Sequence, residues 1–158
     1  IIIEGMARHR RKEKVFTIKG NAIAGYGIYA KWDLPKNTIL FKGEEKSQRI
    51  VTKKFVDENW NEREKLNFRR YAYPISKEVY ILWDLQPEEW SPQNHHCDAN
   101  CSYIGLNVIL NRDVKKGEEL TLDYGSFLDE TMEPFQCNCG SVNCRGLIQG
   151  NAGNKIKH

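Results

Sequence analysis

The sequence has no long hydrophobic run and no strong excess of charge of either sign, and its cysteines, being odd in number, cannot pair completely. No apolar stretch approaches the roughly 20 residues of a membrane-spanning helix, so we expect no membrane partner. A net charge of +3 predicts no nucleic-acid footprint, and direct nucleic-acid binding is not expected. The odd count of five cysteines, without a secretory signal, disfavours a disulfide framework and predicts an intracellular, reducing compartment.

The length of 158 residues, 40% of them hydrophobic, suffices for one ordinary core. We therefore predict one domain, with at most a small appendage. Residues 1–14 contain the basic run Arg8–Lys12 and are expected to be a linker or appended residues; a localisation signal or a contact to an acidic partner is the alternative. Residues 149–158 are polar and rich in glycine and asparagine, which predicts a disordered tail.

Short segments of β-type composition alternate with turns along most of the chain, which predicts a compact, mainly β domain. The turns at 33–40 and 113–120 are similar in sequence, and each contains a residue that tolerates the left-handed conformation. The predicted strands lie at 15–18, 27–30, 78–83, 103–104, 107–110 and 120–124.

One stretch, residues 52–68, has helical character instead. Thr52 can cap its start, and Asn61 with Glu64 offers a second cap three residues apart. The stretch therefore predicts either one helix or two short ones, inserted into the β-rich domain.

The most specific chemical signal is a CxCx4C group formed by Cys137, Cys139 and Cys144. A closed structural zinc site takes four thiolate or imidazole ligands, so this group is one ligand short. Cys97 is the best candidate for the fourth ligand. Zinc bound by these four thiolates would tie the C-terminal segment to the middle of the chain.

Several alternatives to this ligand set remain open. His95 or His96 could replace one thiolate, because imidazole is also a common zinc ligand. The cysteines could instead be disulfide-bonded or scattered through the core. Cys101, four residues beyond Cys97, is assigned to packing because free cysteine is often simply buried.

Four segments, in this order, resemble the motifs of SET-domain protein lysine methyltransferases with a post-SET zinc segment. Gly25–Ile28 is similar to the GxG segment, residues 94–100 to NHSCxPN, residues 119–124 to ELTxDY, and Cys137–Cys144 to the post-SET cysteines. The resemblance covers roughly residues 15–148.

The resemblance implies a mainly β fold of several small curved sheets, with a SET domain at 15–128 and a helical insert at about 50–72. A small zinc-bound post-SET segment is implied at 129–148. In this fold the strand containing residues 119–124 threads beneath the loop leading to residues 94–97, as a pseudoknot. Two distant parts of the chain would thereby lie side by side.

The activity implied by the resemblance is that of an S-adenosylmethionine-dependent protein lysine N-methyltransferase with structural zinc. Its partner would be a lysine-containing protein, by analogy a histone tail, in the nucleus or on a chromosome in a eukaryote, or in the cytoplasm of a bacterium. One alternative is a binding module that keeps the fold without turnover. Another is a zinc-dependent nucleic-acid module that uses residues 8–14.

The same resemblance assigns roles to individual residues, with ordinary core packing as the alternative for the aromatic ones. Tyr124 matches the catalytic tyrosine, and Leu122 a position that tunes how many methyl groups are added. The residues matching cofactor-binding positions are Gly25, Tyr26, Gly27, Asn94, His95 and Phe135, while Tyr71 and Tyr73 match positions that line the lysine channel.

The sequence also departs from the pattern of the family. His96 replaces a serine and Ala99 a proline, and neither position carries the chemistry. Residues 90–93, Trp-Ser-Pro-Gln, stand where an arginine is common, so the family's arginine contact to the cofactor region is missing from this segment. No cysteine-rich zinc cluster precedes residue 15.

Overall fold

The structure is a computed structural model that describes residues 13–22, 24–43, 48–83, 91 and 93–151. The described residues form four small antiparallel sheets and three short helices, which confirms the predicted mainly β fold. The strands are β1 (Phe16–Asn21), β2 (Gly25–Ala30), β3 (Ile39–Phe41), β4 (Gln48–Thr52), β5 (Tyr73–Pro74), β6 (Val79–Trp83), β7 (Cys101–Ile104), β8 (Asn107–Leu110), β9 (Phe135–Gln136) and β10 (Leu147–Ile148), and the helices are α1 (Lys53–Asn59), α2 (Glu62–Tyr71) and α3 (Tyr124–Phe127).

The sheets pair strands that are mostly close in sequence. β1 pairs with β2 as a hairpin, β9 with β10, β8 lies between β3 and β7, and β6 lies between β4 and β5. The hairpin extends beyond the predicted strands, because Gly20 and Asn21 pair with Tyr26 and Gly25. The buried faces of β2, β7 and β8 form the main core together with Leu120 and Leu122.

The two turns of similar sequence pack against each other. Leu34 and Val114 exchange backbone hydrogen bonds of 3.0 and 2.9 Å. The carboxylate of Asp33 accepts from the backbone N–H of Lys116, and that of Asp113 accepts from the backbone N–H of Lys36. Within these turns the left-handed residues are Asn37, at φ 70°, and Gly117, at φ 87°, which confirms the predicted reversals.

The helical insert consists of two helices, as the second predicted cap indicated. The Thr52 side chain accepts from the N–H of Phe55 at the start of α1, and Asn61 forms a reciprocal capping box with Glu64 at the start of α2. The insert packs against β6 around a second small core, formed by Val51, Val56, Phe68, Ala72, Tyr80 and Leu82.

Residues 119–122 cross the molecule between two other segments. On one side, the N–H of Leu120 donates to Ile28 of β2; on the other, Leu122 exchanges backbone hydrogen bonds with Asn94 and His96. Residues 120–124 were predicted to form a regular strand, and this prediction was wrong. Leu122 makes only isolated parallel bridges, and Asp123 caps α3, so that Tyr124 begins a helix.

The C-terminal segment packs on the end of α3 and on the insert. Leu128, Met132, Cys137 and Ile148 form a third core cluster. The hydroxyl of Tyr80, on β6 beside the insert, donates to the buried carboxylate of Asp129 at 2.7 Å. Of the expected disordered tail at 149–158, residues 149–151 are instead held to the domain, because Asn151 donates a backbone hydrogen bond to Gly125.

Some predictions fall outside the described residues. These are the basic run at 8–12, Trp90 and Pro92 of the divergent segment, and residues 152–158. Of the helices in the described ranges, none has the length and apolar character needed to cross a bilayer.

Candidate active site and metal centre

Four cysteine sulfurs converge from three parts of the C-terminal half. The Sγ atoms of Cys97, Cys137, Cys139 and Cys144 all lie within 4.8 Å of one another, and those of Cys97 and Cys137 are 3.9 Å apart. Tetrahedral zinc with Zn–S bonds of about 2.3 Å requires sulfurs about 3.8 Å apart. The predicted ligand set therefore has the donor type, number and spacing of a structural zinc site.

The thiols differ in how readily they form the thiolate that binds metal, since burial raises the pKa of Cys97 and raises that of Cys137 to about 12. Burial opposes ionisation of Cys139, but hydrogen bonds from the backbone at Cys97 and Ser141 lower its pKa to about 6. The N–H of Arg145 points at the sulfur of Cys97 at 3.4 Å. Cys101 lies outside the cluster in the core, where burial raises the pKa of its thiol to about 12.

A cavity of about 650 Å³ lies beside the four cysteines. Its volume is in the range of sites for small molecules and cofactors. Its wall is built by the hairpin turn, the C-terminal end of α2, the 94–96 loop and β9. The lining residues include Asn21, Arg70, Tyr71, Asn94, His95, Glu119, Tyr124, Glu133 and Phe135.

The amide of Asn94 is held in one orientation. Its Nδ2 donates to the carbonyl of Tyr26 at 2.7 Å and to the carboxylate of Glu119 at 2.8 Å. Glu119 in turn accepts from the Asn21 amide at 3.1 Å. Both Nδ2 hydrogens are thus committed, and no group among the described residues donates to the side-chain oxygen of Asn94, which can therefore accept from a ligand.

Gly27 makes this network possible by having no side chain. A Cβ at this position would lie 2.3 Å from the Oε1 of Glu119 and 3.1 Å from the Nδ2 of Asn94. Gly25 has a different role: it begins β2 at φ 86°, with open space around its Cα. Tyr26 contributes its carbonyl, while its side chain is exposed.

His95 connects the cysteine cluster to Tyr124. Burial lowers the pKa of His95 despite the nearby Asp123, so the ring is neutral near pH 7. Its Nδ1 accepts from the N–H of Tyr124 at 3.0 Å, which places the ring proton on Nε2. Nε2 lies 3.5 Å from the sulfur of Cys97. The predicted thiolate ligand thus orients the ring that anchors the backbone of Tyr124.

Tyr124 stands between the cavity and a group of aromatic rings. Its hydroxyl donates to the carbonyl of Gln93 at 2.6 Å, and burial raises the pKa of the phenol, which keeps it protonated. On the cavity side its ring meets those of His95 and Phe135 edge-to-face, at 5.5 and 5.9 Å. On the other side it contacts Phe127 at 5.7 Å.

We call Tyr73, Trp83, Tyr103 and Phe127 the aromatic cluster. Tyr103 lies 4.9 Å from Tyr73 and 4.8 Å from Phe127, and Trp83 stacks on Tyr103 at 6.2 Å. Burial raises the pKa of Tyr103, so its phenol is also neutral. The cluster forms an apolar, uncharged region behind Tyr124.

The three residues matched to the lysine channel lie in different parts of the molecule. Tyr73 belongs to the aromatic cluster, and Tyr71 lines the cavity, half exposed. Leu122 is 5% exposed and packs in the main core beside Ile28 and Leu120, not on the cavity wall. Its predicted influence on methyl number would therefore have to act through packing.

Three further residues of the site were not singled out from the sequence. Glu119 is the first residue of the segment at 119–124, whose resemblance to the family motif could have identified it. No sequence motif marks Asn21 or Arg145, because their contacts join remote parts of the chain. The Asn21 amide donates to Glu119, and the guanidinium of Arg145 pairs with Asp123 at 2.5 Å.

Comparison with known proteins gives matches over most of the chain. A family model described as SET domain matches residues 25–125. An H3 lysine-36 specific histone-lysine N-methyltransferase of Cryptococcus neoformans var. neoformans serotype D is 31% identical over 140 residues, which is 80% of this chain and 16% of that protein.

Two human proteins are similar over comparable lengths. Histone-lysine N-methyltransferase 2D is 30% identical over 135 residues, 78% of this chain and 2% of that protein. Histone-lysine N-methyltransferase SETD2 is 29% identical over 168 residues, 95% of this chain and 6% of that protein. The chain thus corresponds to a small part of these relatives. Because the family model covers most of this chain, including Asn94, His95, Tyr124 and the threaded segment, the chain belongs to the SET-domain family.

Proposed function

We propose that the protein is an S-adenosylmethionine-dependent protein lysine N-methyltransferase. The observation that carries this proposal is the position of the Tyr124 hydroxyl, a neutral phenol held by the carbonyl of Gln93 at the junction of the cavity and the aromatic cluster. A methyl donor in the cavity and a lysine amine reaching through the aromatic cluster would meet at this hydroxyl. The histone-lysine methyltransferase names of the relatives support the same activity.

The cavity wall suits the methyl donor in several places. The free side-chain oxygen of Asn94 accepts a hydrogen bond from the donor's ammonium group. The ring of Phe135, exposed to the cavity from β9, covers the adenine. Gly27 leaves room for Asn94 and Glu119 to keep their positions. The family resemblance assigns cofactor-binding positions to all three residues, and at Gly27 it implies a close approach of the backbone to the methionine end of the donor.

The aromatic cluster acts on the protonation state of the substrate. A free lysine side chain has a pKa of about 10.4 and is almost fully protonated at neutral pH. An uncharged, water-poor environment disfavours the ammonium form, as does the nearby positive sulfonium. The lysine therefore releases its proton to solvent before reaction and presents a neutral amine.

Methyl transfer is then one in-line displacement. The lone pair of the lysine nitrogen forms a bond to the methyl carbon, while the carbon–sulfur bond breaks and its electron pair returns to sulfur. Tyr124 takes no proton in this step; its hydroxyl orients the amine and the methyl group. Holding both reactants in line supplies much of the acceleration.

The zinc that fits the four cysteines has a structural role, because four thiolates leave no open coordination position. It would hold the 137–144 segment against the 94–97 loop and so complete one wall of the cavity. His95 links this wall to the backbone of Tyr124, and Arg145 pairs with Asp123, the cap of α3. Both contacts fix where Tyr124 points.

For the substrate we propose a histone, and accordingly a nuclear location. Relatives bear the names of histone-lysine methyltransferases, and one of them is specific for lysine 36 of histone H3. A histone tail also has the chemistry that the site requires, an extended segment with a long, unhindered amine. The tail would place its lysine against Tyr73 and Phe127 of the aromatic cluster.

The test is transfer of labelled methyl groups from S-adenosylmethionine to a histone H3 panel, with mass spectrometry to locate the modified lysine. Tyr124→Phe should lower the rate by about a hundredfold or more, since it removes one positioning hydroxyl from the reacting centre. Tyr80→Phe removes a buried hydroxyl on β6, away from the cavity, and controls for lost stability. Equal labelling by the parent and Tyr124→Phe would refute the role of Tyr124, and tight binding of the methyl donor without labelled protein would indicate a binding module.

A further inference from the structure

Arg70 lies where α2 meets the cavity. It occupies the last turn of that helix, and its side chain lines the cavity next to Tyr71. The preceding residue, Arg69, fixes this end of the helix: its Nε lies 3.3 Å from the carboxylate of Glu133, and its carbonyl accepts from the N–H of Glu133 at 3.2 Å. The insert is therefore fastened to the cavity wall immediately beside Arg70.

The charges of the cavity leave Arg70 available for a ligand. The carboxylate of Glu119 is occupied by two amides, and that of Glu133 by Arg69. Among the residues that the structure describes, Arg70 is the only arginine or lysine that lines the cavity, and it makes no ion pair there. An unpaired guanidinium at the wall of a small-molecule cavity favours an anionic ligand group.

The methyl donor of the proposed function has one anionic group, the carboxylate of its methionine end. The segment in which the family commonly supplies an arginine has none here, since residues 90–93 read Trp-Ser-Pro-Gln. We propose that Arg70, from the helical insert, binds this carboxylate in place of the missing arginine. The inference rests on the proposed function and adds the residue that selects for an intact amino-acid end.

The competing explanation is that Arg70 only stabilises its helix. A cation in the last turn interacts favourably with the helix dipole and with unpaired carbonyls, whatever the cavity binds. The two explanations differ in ligand discrimination. A helix-stabilising arginine would not distinguish two ligands that differ only in a carboxylate, whereas a carboxylate-binding arginine would.

The experiment is calorimetric titration of S-adenosylmethionine and of its decarboxylated analogue into the parent, Arg70→Ala and Arg63→Ala. Arg63 is an exposed arginine of the same helix that does not line the cavity, which makes it the matched control. We expect the parent and Arg63→Ala to prefer the intact ligand by about tenfold to a hundredfold, the usual effect of a charge-assisted hydrogen-bonded pair.

Arg70→Ala should lose this preference by weakened binding of the intact ligand, with the analogue bound as tightly as by the parent. If Arg70→Ala keeps the parent's preference, or weakens both ligands equally, the inference is overturned. If the parent binds neither ligand, the proposed function fails instead, and the two failures are thus distinguished. Thermal unfolding of each variant verifies that it is folded at the titration temperature.

Discussion

Replacing Gly27 by alanine should weaken binding of the methyl donor through an effect on two other side chains. The new methyl group would lie 2.3 Å from the Oε1 of Glu119 and 3.1 Å from the Nδ2 of Asn94. Ordinary van der Waals contact begins at 3.4 Å, so the carboxylate must move by about 1 Å. The backbone of Gly27 itself is compatible with alanine, since its φ is not among the positive ones.

The carboxylate cannot move without breaking hydrogen bonds. Asn21 and Asn94 both donate to Glu119, and the backbone carbonyl of Glu119 accepts from Asn100 at 2.8 Å. Overpacking of this kind costs about 1–3 kcal/mol of folding free energy. The Asn94 amide loses the partner that sets its orientation, and we expect affinity for S-adenosylhomocysteine to fall at least about tenfold.

The measurements are calorimetric affinity for S-adenosylhomocysteine and the free energy of unfolding in urea. Gly117→Ala is the matched control: Gly117 has φ 87° and open space around it, in a turn away from the cavity. That substitution should cost about 1–2 kcal/mol through backbone strain and leave affinity unchanged. Parental affinity in Gly27→Ala, or equal losses of affinity in the two variants, would refute the reasoning.

Two further predictions concern the metal and pH. Elemental analysis should find one zinc per chain in the parent and in Cys101→Ser, but much less in Cys97→Ser. A chelator should lower the Tm of the parent. Equal zinc content in the two variants would contradict the assignment of Cys97 as a ligand. Burial and the carboxylate of Asp129 raise the pKa of Tyr80 in the folded protein. As the pH rises, this phenol therefore ionises first in the unfolded chain. Its contribution to the free energy of unfolding is complete below pH 10 and declines above it. In urea unfolding, Tyr80→Phe should reduce the decline above pH 10 by up to about 1.4 kcal/mol per pH unit; an unchanged slope would contradict this.

Local features of the fold could be predicted because their causes are local. The capping box of Asn61 and Glu64 depends on two residues three positions apart. The reversals at Asn37 and Gly117 depend on single residues that adopt positive φ. The grouping of Cys97 with Cys137, Cys139 and Cys144 could be predicted because a structural zinc site restricts both the type and the number of its donors.

The features that sequence reasoning missed arise from contacts between remote segments. The alternation of Leu120 and Leu122 indicated a strand, but their burial results from passage between two backbones and not from a regular sheet. Asp123 then caps the short helix α3, which no hydrophobic periodicity in the sequence predicts. Arg70 lies beyond the predicted helical stretch at 52–68, in the insert at about 50–72, and nothing in the neighbouring sequence indicates a cavity.

The threaded segment has a consequence for how the molecule acquires its structure. Glu119 contacts Asn21, 98 residues earlier, and the fully buried Leu120 completes a core that begins at Phe16. During synthesis, the hairpin and the insert emerge first, and their apolar faces stay uncovered until residues 119–122 leave the ribosome. Closing such distant contacts is slow. The nascent chain therefore passes through an interval in which its exposed apolar surface favours aggregation.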